Sequence, residues 1–308
     1  MRVFLTISSI RPAATRGALE ASLGIVLLFA SSCAPTRSSP SGSRTVVDEL
    51  GRSVTVAERP ERIVSLAPSI TETLFAVGAG DRVAGVTSYC DYPPEARGKE
   101  KVGDTLKPNI EKIVGLRSDL VIVSTSSQLE QYVLRLEELG VPVYISNPRN
   151  IDSVLRSISA IGQLVDAEDR AREIVASMSA EVERVAKRLE RRPRPRVLFL
   201  LGTEPLITVG SGTFLDDLIN RAGGQSISAG TSGDYPQYSL ETAVAKQPEV
   251  IFIQFDEKQL PDRLRQTPAG MGGRVYHVDD DVVSRPGPRI VQGLEQMAIR
   301  IHPEADWN

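Results

Sequence analysis

The sequence predicts an α/β protein of two similar lobes joined by one long helix, with a ligand cleft between the lobes. Three observations support this fold class. A short pattern occurs twice, strands alternate with helices in both halves, and residues 167–192 form one long amphipathic segment. Alternating strands and helices are typical of a mostly parallel sheet covered by helices. The predicted lobes span residues 44–166 and 193–308.

The repeated pattern is a capped short helix followed by a buried strand. Residues 109–111 precede the segment 119–123, and residues 239–241 precede the segment 249–253. Each segment is one acidic residue followed by four apolar residues. Asn and Ser are favoured N-cap residues, and a Glu in the first turn suits the helix dipole. A continuous apolar run suits a strand that is covered on both faces. The two copies indicate duplicated lobes, and a cleft between domains is a preferred site for small ligands.

Composition narrows the class of partner. The chain has 308 residues, enough for two domains with a core each. Its 36 basic and 39 acidic residues give a formal net charge of -3. Nucleic-acid binding requires a basic field that this balance does not supply, so nucleic acid is not expected as a partner.

The N-terminal segment is predicted to direct export. Residues 1–32 contain arginines followed by the apolar stretch 23–30, which is too short to span a bilayer but suits a signal peptide. Small residues before Cys33 resemble a lipobox, so we expect a lipidated Cys33, with a plain secretory signal as the alternative. Residues 33–43 then form a Ser- and Pro-rich tether. Both alternatives place the protein in the periplasm or at the cell surface.

The first lobe is predicted to open with a hairpin and continue as alternating strands and helices. Glycines at 78 and 80 end the first helix. The hairpin is predicted at residues 45–56, the strands at 62–66, 83–86, 120–123 and 141–145, and the helices at 68–77, 110–116 and 129–139.

The second lobe follows a long helix at residues 167–192. Apolar residues recur there at helical spacing, without Gly or Pro until Pro193, and the helix would be on the order of 35 to 40 Å long. A helix of this length could join two lobes. Strands are predicted at 197–201, 207–209, 250–253 and 275–278, and further segments, mostly helical, at 213–221, 240–245, 261–265 and 289–300.

Sequence signatures of enzymes are missing. The chain has no phosphate-binding loop of the Walker type, no Gly-x-Ser-x-Gly elbow and only two histidines, so neither a metal site nor a cofactor is expected. We interpret Cys90 as a small buried residue. An exported hydrolase or redox protein that uses Cys90 is the enzymatic alternative.

Three loops carry side chains suited to a bulky ligand. Residues 88–94 and 234–238 contain Tyr and Pro, and tyrosine rings form large, rigid walls. Turn formation alone is the alternative interpretation. Residues 279–285 could bring a carboxylate and a guanidinium to polar ligand groups, or could be an exposed acidic turn.

The first of these loops lies in one of three sequence segments that resemble a known protein family. Residues 62–72, 85–94 and 119–122 resemble substrate-binding proteins of ABC importers for cobalamin and ferric chelates, and the cobalamin-binding branch is the most similar. The resemblance covers residue 44 to the last helix, and the Ser-Tyr-x-Asp-Tyr-Pro-Pro stretch is characteristic of that branch. It implies a monomeric receptor of the class III periplasmic-binding-protein type, with little hinge motion, rather than an enzyme. A sensor on the same fold is a further alternative.

The resemblance also implies roles for individual residues. Tyr89 would line the pocket, Tyr235 would replace a family Trp, and Asp281 and Arg285 would be polar ligand contacts. Glu111 and Glu241 would dock, one per lobe, on arginines of a permease dimer that works with an ATPase. Thr105 and Ser124 stand where the cobalamin binder has Trp, which leaves haem or a ferric siderophore as the alternative ligand.

Overall fold

Each half of the chain forms its own parallel β-sheet. The computed structural model describes residues 42–125 and 129–307. The predicted signal peptide (1–32), Cys33 and nearly all of the predicted tether lie outside the described residues. None of the helices in the described ranges is long and apolar enough to cross a membrane.

The first lobe has a hairpin followed by a five-stranded parallel sheet. Strands β3, β6 and β7 are buried along their whole length, as expected for strands with helices on both faces. The elements are β1 (Ser43–Val47), β2 (Ser53–Ala57), β3 (Ile63–Ser65), α1 (Pro68–Ala76), β4 (Val83–Val86), β5 (Glu100–Lys101), α2 (Ile110–Gly115), β6 (Leu120–Ser124), α3 (Glu130–Glu138) and β7 (Val143–Ser146). The sheet order is β5-β4-β3-β6-β7.

Two helices join the lobes. The predicted long helix is α5 (Glu168–Leu189), which is about 33 Å long at 1.5 Å per residue. It packs along α4 (Ile151–Leu164), which the sequence interpretation missed. Helix α4 has a capping box formed by Asn150 and Ser153, but its serines and Gly162 lower its helix propensity.

The second lobe repeats the first. Its sheet has the order β10-β8-β11-β12, with β9 antiparallel to β8. The elements are β8 (Arg196–Thr203), β9 (Leu206–Thr208), α6 (Phe214–Arg221), β10 (Gln225–Ser226), α7 (Leu240–Ala245), β11 (Val250–Ile253), α8 (Asp262–Arg265), α9 (Pro268–Met271), β12 (Val275–His277), α10 (Asp280–Val283) and α11 (Ile290–Ile301).

The repeated sequence pattern occupies equivalent positions in the two sheets. The order β4-β3-β6-β7 corresponds to β10-β8-β11-β12, so that α2 and β6 are the counterparts of α7 and β11. Asn109 Oδ1 accepts a hydrogen bond from Lys112 N at 2.9 Å, and Ser239 Oγ accepts one from Thr242 N at 3.1 Å. The predicted helix caps, buried strands and lobe duplication are therefore confirmed.

One apolar cluster runs through both lobes. It includes Ile63 of the first sheet and Phe199 of the second, together with Ile158 of α4 and Met178 and Val185 of α5. The outer faces of the two sheets have separate clusters of their own. Since the shared cluster passes through α4 and α5, these helices form part of a common core.

We predict that Gly162→Ala destabilises the protein by about 1 to 3 kcal/mol, although Ala is the better helix former. A Cβ at Gly162 would lie 2.3 Å from the Cβ of Ala171, so α4 and α5 would have to move apart. Urea unfolding measures the effect.

Gly115→Ala in α2 is the matched control, since a Cβ there would have no atom within 4 Å. It should be neutral or stabilising by up to about 1 kcal/mol. Equal stability of both variants would contradict close packing of α4 on α5.

Candidate ligand-binding cleft

A cavity of about 490 Å³ lies between the lobes. It is found where β6, β7 and β11 end, which is the usual place for a ligand in a parallel α/β sheet. Its lining residues come from both lobes: Ser124, Thr125, Asn147, Pro148, Arg149, Leu201, Thr213, Phe214, Leu215, Asp234, Tyr235, Gln254, Ser284 and Pro286.

The cavity wall combines apolar surface with hydroxyl and amide groups. Phe214 and Leu215 supply apolar area, while Asn147 and Gln254 supply amides. No His, Cys or Met is among the described lining residues, so oxygen atoms are the donors that the wall offers to a metal. Within the described ranges, no group of three or more His, Cys, Asp or Glu side chains is arranged to hold a metal ion.

An ion pair crosses the cleft at the cavity. Arg149 of the first lobe donates two hydrogen bonds to Asp234 of the second, from Nη1 to Oδ2 at 2.8 Å and from Nη2 to Oδ1 at 2.9 Å. Both side chains are about half exposed. The hydrogen bond from Arg149 lowers the pKa of Asp234 below its ordinary value. The pair therefore stabilises the closed cleft above the ordinary Asp pKa and is lost as the pH falls through the lowered one.

The loop that carries Arg149 is held by the N-terminal hairpin and by α4. Asn147 N donates to Glu49 Oε2 at 2.5 Å, and Ser157 Oγ of α4 donates to Glu49 Oε1 at 2.5 Å. Arg149 N donates to Ser153 Oγ at 2.8 Å. Since its backbone has these partners, the loop presents Arg149 in a fixed position.

A second set of charges joins the lobes beside the cavity. We call Glu72, Asp91, Asp281, Arg285 and Arg289 the Glu72 cluster. Glu72 lies on α1 and is only 3% exposed. Its carboxylate accepts hydrogen bonds from Arg289 Nη2 at 2.7 Å and Nε at 2.9 Å, and from Arg285 Nη1 at 3.3 Å. Arg285 also contacts Asp91 at 2.8 Å and Asp281 at 2.5 Å.

The predicted ligand residues are divided between these two places. Tyr235 lines the cavity. Asp281 and Arg285 belong to the Glu72 cluster, and neither is among the lining residues of the cavity. Tyr89 is exposed beside them, and its carbonyl oxygen lies 3.4 Å from Arg285 Nη2. Ligand contact by these four residues stays a prediction.

Sequence reasoning did not find several residues of the site. Arg149, Glu72 and Arg289 make contacts between the lobes. Arg149 and Arg289 lie outside the recognised segments, and Glu72, the last residue of the segment 62–72, was given no role there. A usable signal for Arg149 was present, since Asn147-Pro148-Arg149 follows a predicted strand and loops after parallel strands face the ligand.

The predicted docking residues occupy equivalent exposed positions. Glu111 is in the first turn of α2, and Glu241 is in the first turn of α7. Glu241 Oε1 accepts a hydrogen bond from Arg263 Nη1 at 2.9 Å. Contact with a permease stays a prediction for both.

Cys90 is buried, as expected for a structural residue. It is 1% exposed, and its Sγ lies 3.1 Å from Thr87 Oγ1. A substrate could not reach this thiol without a change in structure, which counts against the enzymatic alternative.

We predict that Glu72→Gln destabilises the protein by about 3 kcal/mol, because two largely buried guanidinium groups would lose their shared carboxylate. Denaturant unfolding measures the loss. Glu138→Gln, which removes an exposed ion pair with Arg135, is the control and should cost less than about 0.5 kcal/mol. A cost for Glu72→Gln no larger than that of the control would contradict the structural importance of the cluster.

Comparison with known proteins identifies relatives along most of the chain. The family described as periplasmic binding protein matches residues 63–282. An ABC transporter substrate-binding lipoprotein of Bacillus subtilis, YvrC, is 32% identical over 271 residues, which are 84% of this chain and 86% of that protein.

Solved structures share the fold. The periplasmic vitamin B12 binding protein BtuF of Vibrio cholerae superposes with a TM-score of 0.72 at 28% identity, covering 79% of this chain and 97% of BtuF. The periplasmic haem-binding protein RhuT of Roseiflexus sp. RS-1, in its apo form, gives a TM-score of 0.71 at 30% identity, covering 79% and 98%. These similarities confirm the predicted fold class and the resemblance to ABC substrate-binding proteins. The chain belongs to the periplasmic binding protein family.

Proposed function

We propose that the protein is an exported receptor that captures a bulky metal chelate, most simply cobalamin or another corrinoid, and delivers it to an ABC permease. The observation that carries the proposal is the cavity of about 490 Å³ lined by both lobes. Its size and its mixture of apolar and polar groups suit a small-molecule ligand. The similarity to BtuF supports a corrinoid.

The polar groups of the cavity favour a ligand with amide side chains. A ligand that separates Arg149 from Asp234 is favoured when it offers hydrogen bonds to both, since it then replaces the partner that each side chain loses. A primary amide has an acceptor for the guanidinium and donors for the carboxylate. Corrinoids carry such amides at their rim. Carboxylates would satisfy Arg149 but repel Asp234.

Haem or a ferric siderophore is the second candidate. The cavity offers the phenol of Tyr235 and the carboxylate of Asp234, and ferric iron accepts such oxygen donors. Ser124, at a position where the resemblance implies a Trp, lines the cavity with a small side chain and leaves less aromatic wall for a corrinoid. The similarity to RhuT also supports haem.

We expect cyanocobalamin to co-elute with the full chain, purified in detergent, when visible absorbance is followed through gel filtration. Haemin and ferrichrome are tested in the same way. Tyr235→Ala should weaken binding by about tenfold through loss of ring contact, whereas Leu134→Ala, on an exposed face of α3, should have no effect. Binding of haemin alone would favour the second candidate. Binding of none of the three would contradict the proposal.

Delivery requires a partner in the membrane. The proposed partner is a permease dimer with its ATPase, which a monomeric receptor, anchored through Cys33, would approach with both lobes. Glu111 and Glu241 are the proposed docking residues, because equivalent positions in the two lobes suit two equivalent permease subunits. A favourable interaction with the helix dipole would be enough to explain why a Glu stands in the first turn of either helix taken singly.

Reversing both charges, as Glu111→Lys with Glu241→Lys, should leave chelate binding intact and reduce cellular uptake by about tenfold, since charges at the rim set orientation and association rate. Glu130→Lys with Glu168→Lys is the control, because these residues are also exposed glutamates in first helical turns. Unchanged uptake in the first double variant would contradict the docking role and leave the receptor function standing.

A further inference from the structure

The wall of the cavity carries one cation and one anion, and these two are paired with each other. Among the lining residues that the structure describes, Arg149 is the only basic side chain and Asp234 the only acidic one. Their two hydrogen bonds, at 2.8 and 2.9 Å, form the bidentate arrangement in which a guanidinium matches a carboxylate. The described wall therefore has a formal net charge of zero.

The pair occupies the group that would otherwise attract an anionic ligand. A guanidinium binds the carboxylate of a ligand in the same bidentate way in which Arg149 binds Asp234. Both side chains line the cavity and are about half exposed, so a ligand can reach their charges. A ligand carboxylate at this place would compete with Asp234 for the guanidinium and would be repelled by it, because like charges brought together oppose binding.

Arg285, the other arginine considered as a ligand contact, is already neutralised by several carboxylates. Its guanidinium contacts Glu72 at 3.3 Å, Asp91 at 2.8 Å and Asp281 at 2.5 Å, and its side chain is only 13% exposed. Loss of one of these carboxylates leaves the others in place. Arg149 differs, because Asp234 is its only acidic partner in the part of the chain that the structure describes.

The backbone beside the pair is held by contacts that do not involve its two side chains. Ile151 N, at the start of α4, donates to Asp217 Oδ2 of α6 at 2.9 Å. Arg221 Nη2 of α6 donates to Asp152 Oδ2 of α4 at 2.6 Å. These contacts join the lobes directly beside the pair. The cleft therefore keeps its shape, and the guanidinium stays at the wall, when the carboxylate of the pair is removed.

We propose that Asp234 excludes anionic ligands from the cleft by neutralising Arg149, so that the site prefers chelates with an uncharged rim to chelates that carry carboxylates. Asp234 is thus a specificity-determining residue, and Asp234→Asn converts the wall into a site for anionic chelates. The inference rests on the proposed binding of a chelate in this cleft and adds the charge that the chelate has.

The test compares ligands that differ in their carboxylates. Cyanocobalamin is paired with its monocarboxylic acids, in each of which one rim amide is hydrolysed. Haemin dimethyl ester is paired with haemin, and ferrichrome with ferrichrome A, which carries three carboxylates. Equilibrium dialysis of the full chain, with the same detergent on both sides, gives each Kd from visible absorbance. The selectivity ratio is the Kd of the carboxylate member divided by the Kd of the uncharged member, for every pair that binds.

The wild-type chain should bind the uncharged member about three- to tenfold more tightly, and Asp234→Asn should reverse this preference by a similar factor, since an unpaired guanidinium then faces the ligand. Addition of Arg149→Gln to Asp234→Asn should abolish the gain, because the described wall then has no cation. Asp169→Asn is the matched control. It breaks another exposed pair, with Arg172 at 2.8 Å, which does not line the cavity, and it should keep the wild-type ratio.

An Asp234→Asn ratio equal to that of the wild-type chain would overturn the inference. An equal change in Asp169→Asn, or a gain that survives Arg149→Gln, would also overturn it. Tighter binding of the carboxylate members by the wild-type chain would overturn the inference and leave the receptor function standing. Binding of none of these ligands would overturn the proposed function, and the inference with it.

Discussion

The arrangement of the lobes depends on the burial of one carboxylate. Glu72 is 3% exposed, and a charge so far from water is tolerated only with strong partners. Its partners, Arg285 and Arg289, come from the other lobe, more than 200 positions along the chain. Neither lobe alone satisfies these charges. The carboxylate therefore fixes the position of one lobe relative to the other.

The shared apolar cluster supports the same arrangement by a different interaction. Burial of Ile63, Ile158 and Phe199 in one cluster means that separation of the lobes would expose core surface along α4 and α5. This contact is broad and non-directional, whereas the Glu72 cluster is local and depends on geometry. Together they account for two lobes that are joined through a common apolar core and a buried cluster of charges.

Local features of the fold could be predicted from the sequence, and contacts between the lobes could not. The repeated caps at Asn109 and Ser239 act within a few residues, so their pattern is visible in the chain. The buried strands likewise appear as apolar runs. Glu72 lies in a segment that the resemblance covers, but its contacts could not be read there, because its partners lie 213 and 217 positions away. Arg149 was missed for the same reason, whereas Tyr235 was found because its loop is rich in Tyr and Pro.

Duplication of the lobes accounts for the two ion pairs that cross the cleft. Asp91 contacts Arg285 and Asp234 contacts Arg149, and each Asp precedes Tyr-Pro in a loop that follows an equivalent strand. The two pairs differ in burial, because Arg285 also contacts the buried carboxylate of Glu72 and is 13% exposed, whereas Arg149 is 51% exposed and lines the cavity. The exposed pair therefore leaves its polar groups accessible from the cavity, whereas the buried cluster holds the lobes together.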